Sequence, residues 1–284
     1  MVGKWKPPFG PYDCELNALM FWSSQNNISL NLFYKYNWAF HFDNEHDLLR
    51  GSLSITNALS FFQEIYKVRV YQISFEEIPT GKIVILPLNA RLLPYAKAYF
   101  QKTDLVHYVA AQKLNDEFFF LWDSSLEFND SLSYKIVQSS WSNVGRKTCL
   151  LENSGEFISD KIDAIVPFYC QIDFKSIYSS SISEFTNRLR ELVNSERDLI
   201  NNEKYKKYFG YLTSILHARE RHFEATTYSE YSLKILNGWR KVLKNYMKVS
   251  INGQLINFTI DAISEICEIE MNYLNSSFVT EVKI

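Results

Sequence analysis

The sequence predicts an α+β fold: a helix packed on an antiparallel sheet, followed by a mainly helical C-terminal part. Three observations predict it. Apolar residues recur at helical spacing over residues 14–25 and 54–67, short β-branched and aromatic runs crowd residues 68–123, and the helical period returns after about residue 176. A length of 284 residues and a hydrophobic fraction of 46% suit two modest domains, expected at 1–175 and 176–284.

Gly10-Pro11 turns the chain into Asp13, a good N-cap residue. Leu16, Leu19 and Met20 then mark a helix from Cys14 to Gln25, which Asn26-Asn27 ends. Asn31 to Phe42 is dense in aromatics, which suits either packing beneath that helix or an apolar wall for an acyl chain. His41 to Asp47 reads as a solvated turn, because neighbouring polar residues rarely converge on one metal without a spacing such as His-Glu-x-x-His. Ser54 to Lys67 is an amphipathic helix, Val68 to Phe75 alternates as a strand, and Pro79-Thr80-Gly81 leads into a buried strand, Ile83 to Leu88.

Asp104 to Gln112 and Phe118 to Asp123 are two further strands, joined as a hairpin by the polar Leu114-Asn115-Asp116. Ser131 to Ser140 and Ala164 to Phe174 read as strands as well. The string Ser181-Ile182-Ser183-Glu184 is a capping box that opens a helix to about Asn201. Helices follow at Tyr205 to Ala225, Ser229 to Tyr246 and Ile260 to Leu274, with a small hairpin expected at Asn252-Gly253.

A net charge of −2 argues against nucleic acid, whose phosphates need a basic face. Pro7, Pro8, Asp13 and Glu15 interrupt the one apolar run near the start, and nothing apolar is long enough to span a bilayer, so a cytoplasmic protein without membrane contact is expected. The four scattered cysteines suit a reducing compartment, with Cys149, Cys170 and Cys267 structural. His217 and His222 are five apart, point in different directions on a helix and read as surface or interface residues; no metal site is expected.

Cys14 falls on the first turn of its helix, where unpaired N–H groups and the positive end of the macrodipole favour thiolate. A lone cysteine there also suits a small core residue. What favours a nucleophile is the downstream hairpin: a turn centred on Asn115 sets His107 opposite Asp123 on one sheet face, close enough for the carboxylate to orient the imidazole. Together the three make a thiol, base and orienter set.

Asp13-Cys14-Glu15, Asn27-Ile28-Ser29-Leu30, Trp38-Ala39-Phe40-His41-Phe42, Ile83 to Asn89, Leu92-Leu93-Pro94-Tyr95, His107-Tyr108-Val109 and Trp122-Asp123 follow one another over residues 10–125. In this order they resemble the butirosin biosynthesis protein H N-terminal-like family, related to the papain-like peptidases. The resemblance implies a papain-like fold and acyl transfer from a carrier-protein thioester to an amine, with Cys14, His107 and Asp123 catalytic. Asn89, Tyr95 and Tyr12 are then the substrate-binding candidates. The sequence departs from the pattern where Asn27, Trp38 and Leu114 replace glycines, and Lys4 to Tyr12 contains no Gln or Asn to serve as second oxyanion donor.

The expected function is thus a cysteine-dependent acyltransferase of secondary metabolism, of the kind that serves antibiotic biosynthesis. It carries no cofactor of its own and takes its acyl group from the phosphopantetheine arm of an acyl or peptidyl carrier protein, for delivery to a small-molecule amine. A thioesterase or peptidase-like hydrolase would use the same triad, and a non-catalytic docking module would keep only the fold. Arg240, Lys244 and Lys248, four apart with Lys241 alongside, form a basic helix face suited to an acidic carrier.

Overall fold

Residues 13–45, 47–154, 174–196, 198–226 and 229–280 are described by the structure, a computed structural model. It is a mixed α+β protein divided into two units that interleave in sequence: Met1–Leu30 with Ser54–Asp160, and Asn31–Leu53 with Lys161–Ile284.

The first unit begins with α1 (Cys14–Gln25), which is buried almost all round, from Glu15 through Ser23. Asn27, at φ +55°, turns the chain away in the left-handed region that Asn tolerates. Helix α3 (Ile55–Ile65) starts as expected at Ser54, whose side chain accepts from the Asn57 N–H. The strands are β3 (Arg69–Ile73), β4 (Ile83–Asn89), β5 (Val106–Lys113), β6 (Phe118–Asp123), β7 (Phe128–Ser133) and β8 (Thr148–Glu152), with α4 (Tyr134–Ser142) before the last. They form one antiparallel sheet in the order β3-β8-β4-β5-β6-β7.

Strand alternation divides the side chains between two faces. Val84, Leu86, Leu88, Val109, Ala111, Phe119 and Leu121 join Val137 of α4 in one buried cluster. On the other face α1 lies over β4, β5 and β6, with Phe21 stacked on Trp122 at 4.9 Å; Ala110, fully buried at the middle of β5, leaves room for the helix.

One expectation fails in this unit, and one strand is new. The stretch 131–140 is not one strand: β7 ends at Ser133, and Tyr134, Val137 and Trp141 follow at helical spacing in α4. Strand β8, which carries no clear sequence signal, pairs with both β3 and β4 and completes the sheet. The proposed strand from Ala164 lies outside the described residues, and Phe174 opens a helix.

The second unit holds α2 (Asn31–Tyr36), a short hairpin of β1 (His41–Asp43) and β2 (Leu48–Arg50), and the helices α5 (Phe174–Ser195), α6 (Glu203–Ala225), α7 (Glu230–Val249) and α8 (Leu255–Thr280). The aromatic stretch after α1 packs among the helices of this second unit. Phe40 contacts Tyr178 and Trp239, Phe42 contacts Phe185, and Trp38 contacts His222, so residues 31–53 belong with the helices and not with the rest of 1–175.

Three further local readings are corrected here. Ser181 does not open a helix but sits inside α5, accepting from the Phe42 N–H of β1. Asn252-Gly253 makes a helix–helix corner and no hairpin: the Ile251 and Asn252 N–H groups both reach the Lys248 carbonyl, and α8 begins at Leu255. Its flanks carry the 3.6-residue apolar period, which outweighs a two-residue turn signal. His222 is not a surface residue; it is 1% exposed, with Nδ1 on the Lys35 carbonyl and Nε2 on the Tyr273 hydroxyl. Burial pushes its pKa down to about 3, so it is neutral in the core.

Around it lies a fully buried ion pair. Arg219 donates from Nε and Nη2 to the two carboxylate oxygens of Glu270 at 2.7 and 2.9 Å, and to the carbonyls of Gly51 and Ala39. Tyr178 and Trp239 donate to the same carboxylate, and Trp38 lies 4.0 Å beneath the guanidinium. Gly51 must be glycine here, since a Cβ would stand 2.5 Å from the Ile215 backbone. No helix among the described residues is long and apolar enough to cross a membrane.

Removing one partner strands the other charge in a dry interior. Glu270→Gln should therefore lower the stability of this unit by about 3–5 kcal/mol, read as a shift in the urea unfolding midpoint.

Candidate active site

The site stands where the C-terminal ends of β4 and β6 meet the N-terminal end of β5. His107 is the second residue of β5 and pairs with Leu88; Asp123 is the last of β6 and pairs with Phe128. The two carboxylate and imidazole groups meet, His107 Nε2 donating to Asp123 Oδ2 at 2.6 Å, but not as directly opposed residues. Ala110 pairs with Trp122 and Gln112 with Phe120, which centres the turn on Asp116 and shifts the expected register by two. Asn115 Oδ1 accepts from both the Glu117 and Phe118 N–H groups, and the Leu114 N–H reaches the Phe118 carbonyl, which moves the turn one residue along the chain. A shift of two keeps every side chain on its face, so the pairing survives on the diagonal; a shift of one would have separated the groups.

Cys14 comes from the other side of the sheet. As the first residue of α1 it reaches the strand end, and its Sγ accepts a hydrogen bond from the Tyr108 backbone N–H at 3.4 Å. The sulfur also lies near enough to His107 to act on the ring electrostatically. With Nε2 engaged by Asp123, Nδ1 is the ring nitrogen left for the thiol. Cys14 is half-buried, whereas Cys149 and Cys267 are buried and their thiols pushed up by burial, further from thiolate; Cys170 lies outside the described residues.

His107 and Asp123 are 5% and 2% exposed. Burial alone would push the imidazole's pKa down. The negative charges of Cys14 and Asp123 and their hydrogen bonds overcome it and raise it from 6.5 to about 10. The arrangement thus stabilises an imidazolium at the site.

Around this set the carboxylate is held further. Leu126 N–H reaches Asp123 Oδ1 at 3.1 Å, and the Tyr95 hydroxyl donates to Oδ2 at 3.1 Å. Asn89, the other candidate in that loop, is occupied locally: Nδ2 donates to Asp104, Oδ1 accepts from the Arg91 N–H at the start of the 3-10 turn Ala90–Leu92, and its carbonyl accepts from Ser140. Tyr12 lies outside the described residues, as does the whole stretch Lys4 to Tyr12. Asp13 occupies the N-cap position, but its side chain makes no capping bond.

The basic residues Arg240, Lys241, Lys244 and Lys248 are all exposed on α7. Arg240 pairs with Glu220 at 3.1 Å and Lys241 with Glu265 at 3.5 Å. Two contributors to the site escaped the sequence: the Tyr108 and Leu126 N–H groups. Backbone donors carry no letter of their own, so only the register of β5 and the turn after Asp123 reveal them. No family model matches the chain, and no curated protein matches it.

Because the folded imidazole has the raised pKa, its charge supports folding fully below about 6.5 and ceases to do so as pH rises through about 10. Cys14→Ser removes the neighbouring sulfur, so the His107 pKa should fall by at least about one unit in an NMR ring titration. An unchanged value would mean that thiol and imidazole do not interact.

Proposed function

We propose that the first unit is papain-like and that the protein is a cysteine-dependent acyltransferase working from a carrier-protein thioester, within secondary metabolism. The observation that carries this is the Cys14, His107 and Asp123 set: a half-buried sulfur accepting an N–H bond, beside an imidazole whose second nitrogen is bonded to a buried carboxylate.

In the first step the Cys14 thiolate attacks the thioester carbonyl. The C–S bond to the pantetheine arm breaks, and His107 returns its proton to the departing thiol, leaving acyl-Cys14. In the second step an amine attacks the acyl-enzyme, His107 takes the proton, the amide leaves and the thiolate is restored. Asp123 keeps the ring oriented and balances the imidazolium in both. The Cys14 N–H, in the first turn of α1 where N–H groups have no intrahelical partner, is suited to the developing oxyanion. Water in place of the amine would make the same residues a thioesterase.

The proposed donor is the phosphopantetheine arm of an acyl or peptidyl carrier protein, and the exposed basic face of α7 suits its acidic surface. Cytoplasmic placement follows from that partner.

Incubation with an acyl-pantetheine thioester should add the acyl mass to the intact protein, and Cys14→Ala should abolish the adduct; a variant that labels as well as the parent removes the nucleophile. For the partner, Arg240→Glu with Lys244→Glu should weaken carrier binding and flatten its salt dependence. Binding that is indifferent to both the substitutions and salt would rule out that face.

A further inference from the structure

Asp123 is held by donors from three separate segments. The Leu126 N–H lies on Oδ1, while the His107 Nε2–H and the Tyr95 hydroxyl converge on Oδ2. The Tyr95 ring is itself fixed: it stacks on Phe128 at 3.8 Å with an interplanar angle of 6°, and Phe128 is the residue paired with Asp123 across β6 and β7. Leu93 and Ala96, buried on either side, anchor its loop, and the Ala96 N–H closes a turn onto the Leu93 carbonyl at 3.0 Å. A tyrosine whose hydroxyl is already donated and whose ring is already stacked is poorly placed to recognise substrate.

We propose that Tyr95 is a positioning residue, its hydroxyl locking the Asp123 carboxylate in one rotation and thereby fixing the orientation and the protonated nitrogen of His107. The terminal torsion of an aspartate is broad and close to two-fold, so one backbone donor on Oδ1 leaves it free to tilt. A second fixed donor on Oδ2 removes that freedom and keeps the oxygen aimed at Nε2. Burial first, and the Asp123 charge next, push the phenol well above its ordinary pKa, so it stays a donor throughout neutral pH. The charged or titratable groups facing His107 are Cys14 from α1 and Asp123 from β6; Tyr95 acts on the ring only through the latter.

The inference rests on the proposed reactive set, and its test has one arm that does not depend on chemistry at Cys14. Tyr95→Phe keeps the stacked ring and removes only the hydroxyl, so thermal unfolding should move little. With the carboxylate free to tilt, the His107 pKa in an NMR ring titration should fall by about one unit. The thiolate fraction at pH 6, read from the iodoacetamide alkylation rate of Cys14, should fall about three- to tenfold. An imidazole pKa that is unchanged or raised overturns the proposal. Should that variant fail to fold, Phe128→Leu loosens the stack while keeping the hydroxyl, and the same fall or its absence decides. A parent protein whose Cys14 alkylates no faster than a free thiol would count against the reactive-cysteine reading, while the ring titration still decides the role of Tyr95.

Discussion

An imidazole and a carboxylate held 2.6 Å apart in a place nearly closed to water set the terms for the rest of the first unit. Two polar groups so placed need their remaining valences filled, because an unmet buried donor or acceptor costs about 1–3 kcal/mol. The sheet end meets that demand with the Leu126 N–H, the Tyr95 hydroxyl and the Cys14 sulfur. The sulfur is part of the network and belongs to a residue half-open to solvent. Strand pairing, loop turn and helix start all converge because each supplies one of those partners.

The second unit solves a like problem and reaches a different end. Arg219 and Glu270 are as deeply buried, but their donors and acceptors meet each other, Tyr178, Trp239 and the carbonyls of Gly51 and Ala39, with the Trp38 ring against the guanidinium. No solvent-facing nucleophile joins this cluster among the described residues. Its work is to tie the hairpin segment 38–51 to α6 and α8, and it explains why an early stretch of chain belongs with late helices. A closed polar network suits cohesion; an open one, with a thiol at its edge, suits chemistry.

Much of the secondary structure was legible from local pattern. The positions of α1, α3, β4 and α6 follow from apolar period and turn residues. Pattern misled where two signals competed. At Asn252-Gly253 a turn dipeptide sat between helical stripes, and at Ser181 a capping box sat inside a helix whose partner is the Phe42 N–H. Strand β8 has no strong alternation, and its existence depends on the free edges of β3 and β4 on either side.

By itself the sequence determined an α+β chain, a cysteine on the first turn of a buried helix, and a histidine and an aspartate on neighbouring strands of one hairpin; these depend on residue type and short-range spacing. Tertiary structure alone decided the rest. Register moved by two and still brought His107 to Asp123, because side-chain direction in a strand repeats every second residue. The sulfur met the ring because a helix on one face and a side-chain pair on the other share a strand end, and Tyr95 turned inward to the carboxylate because Phe128 holds its ring. Such meetings join residues far apart in the chain, where no local period carries information about distance.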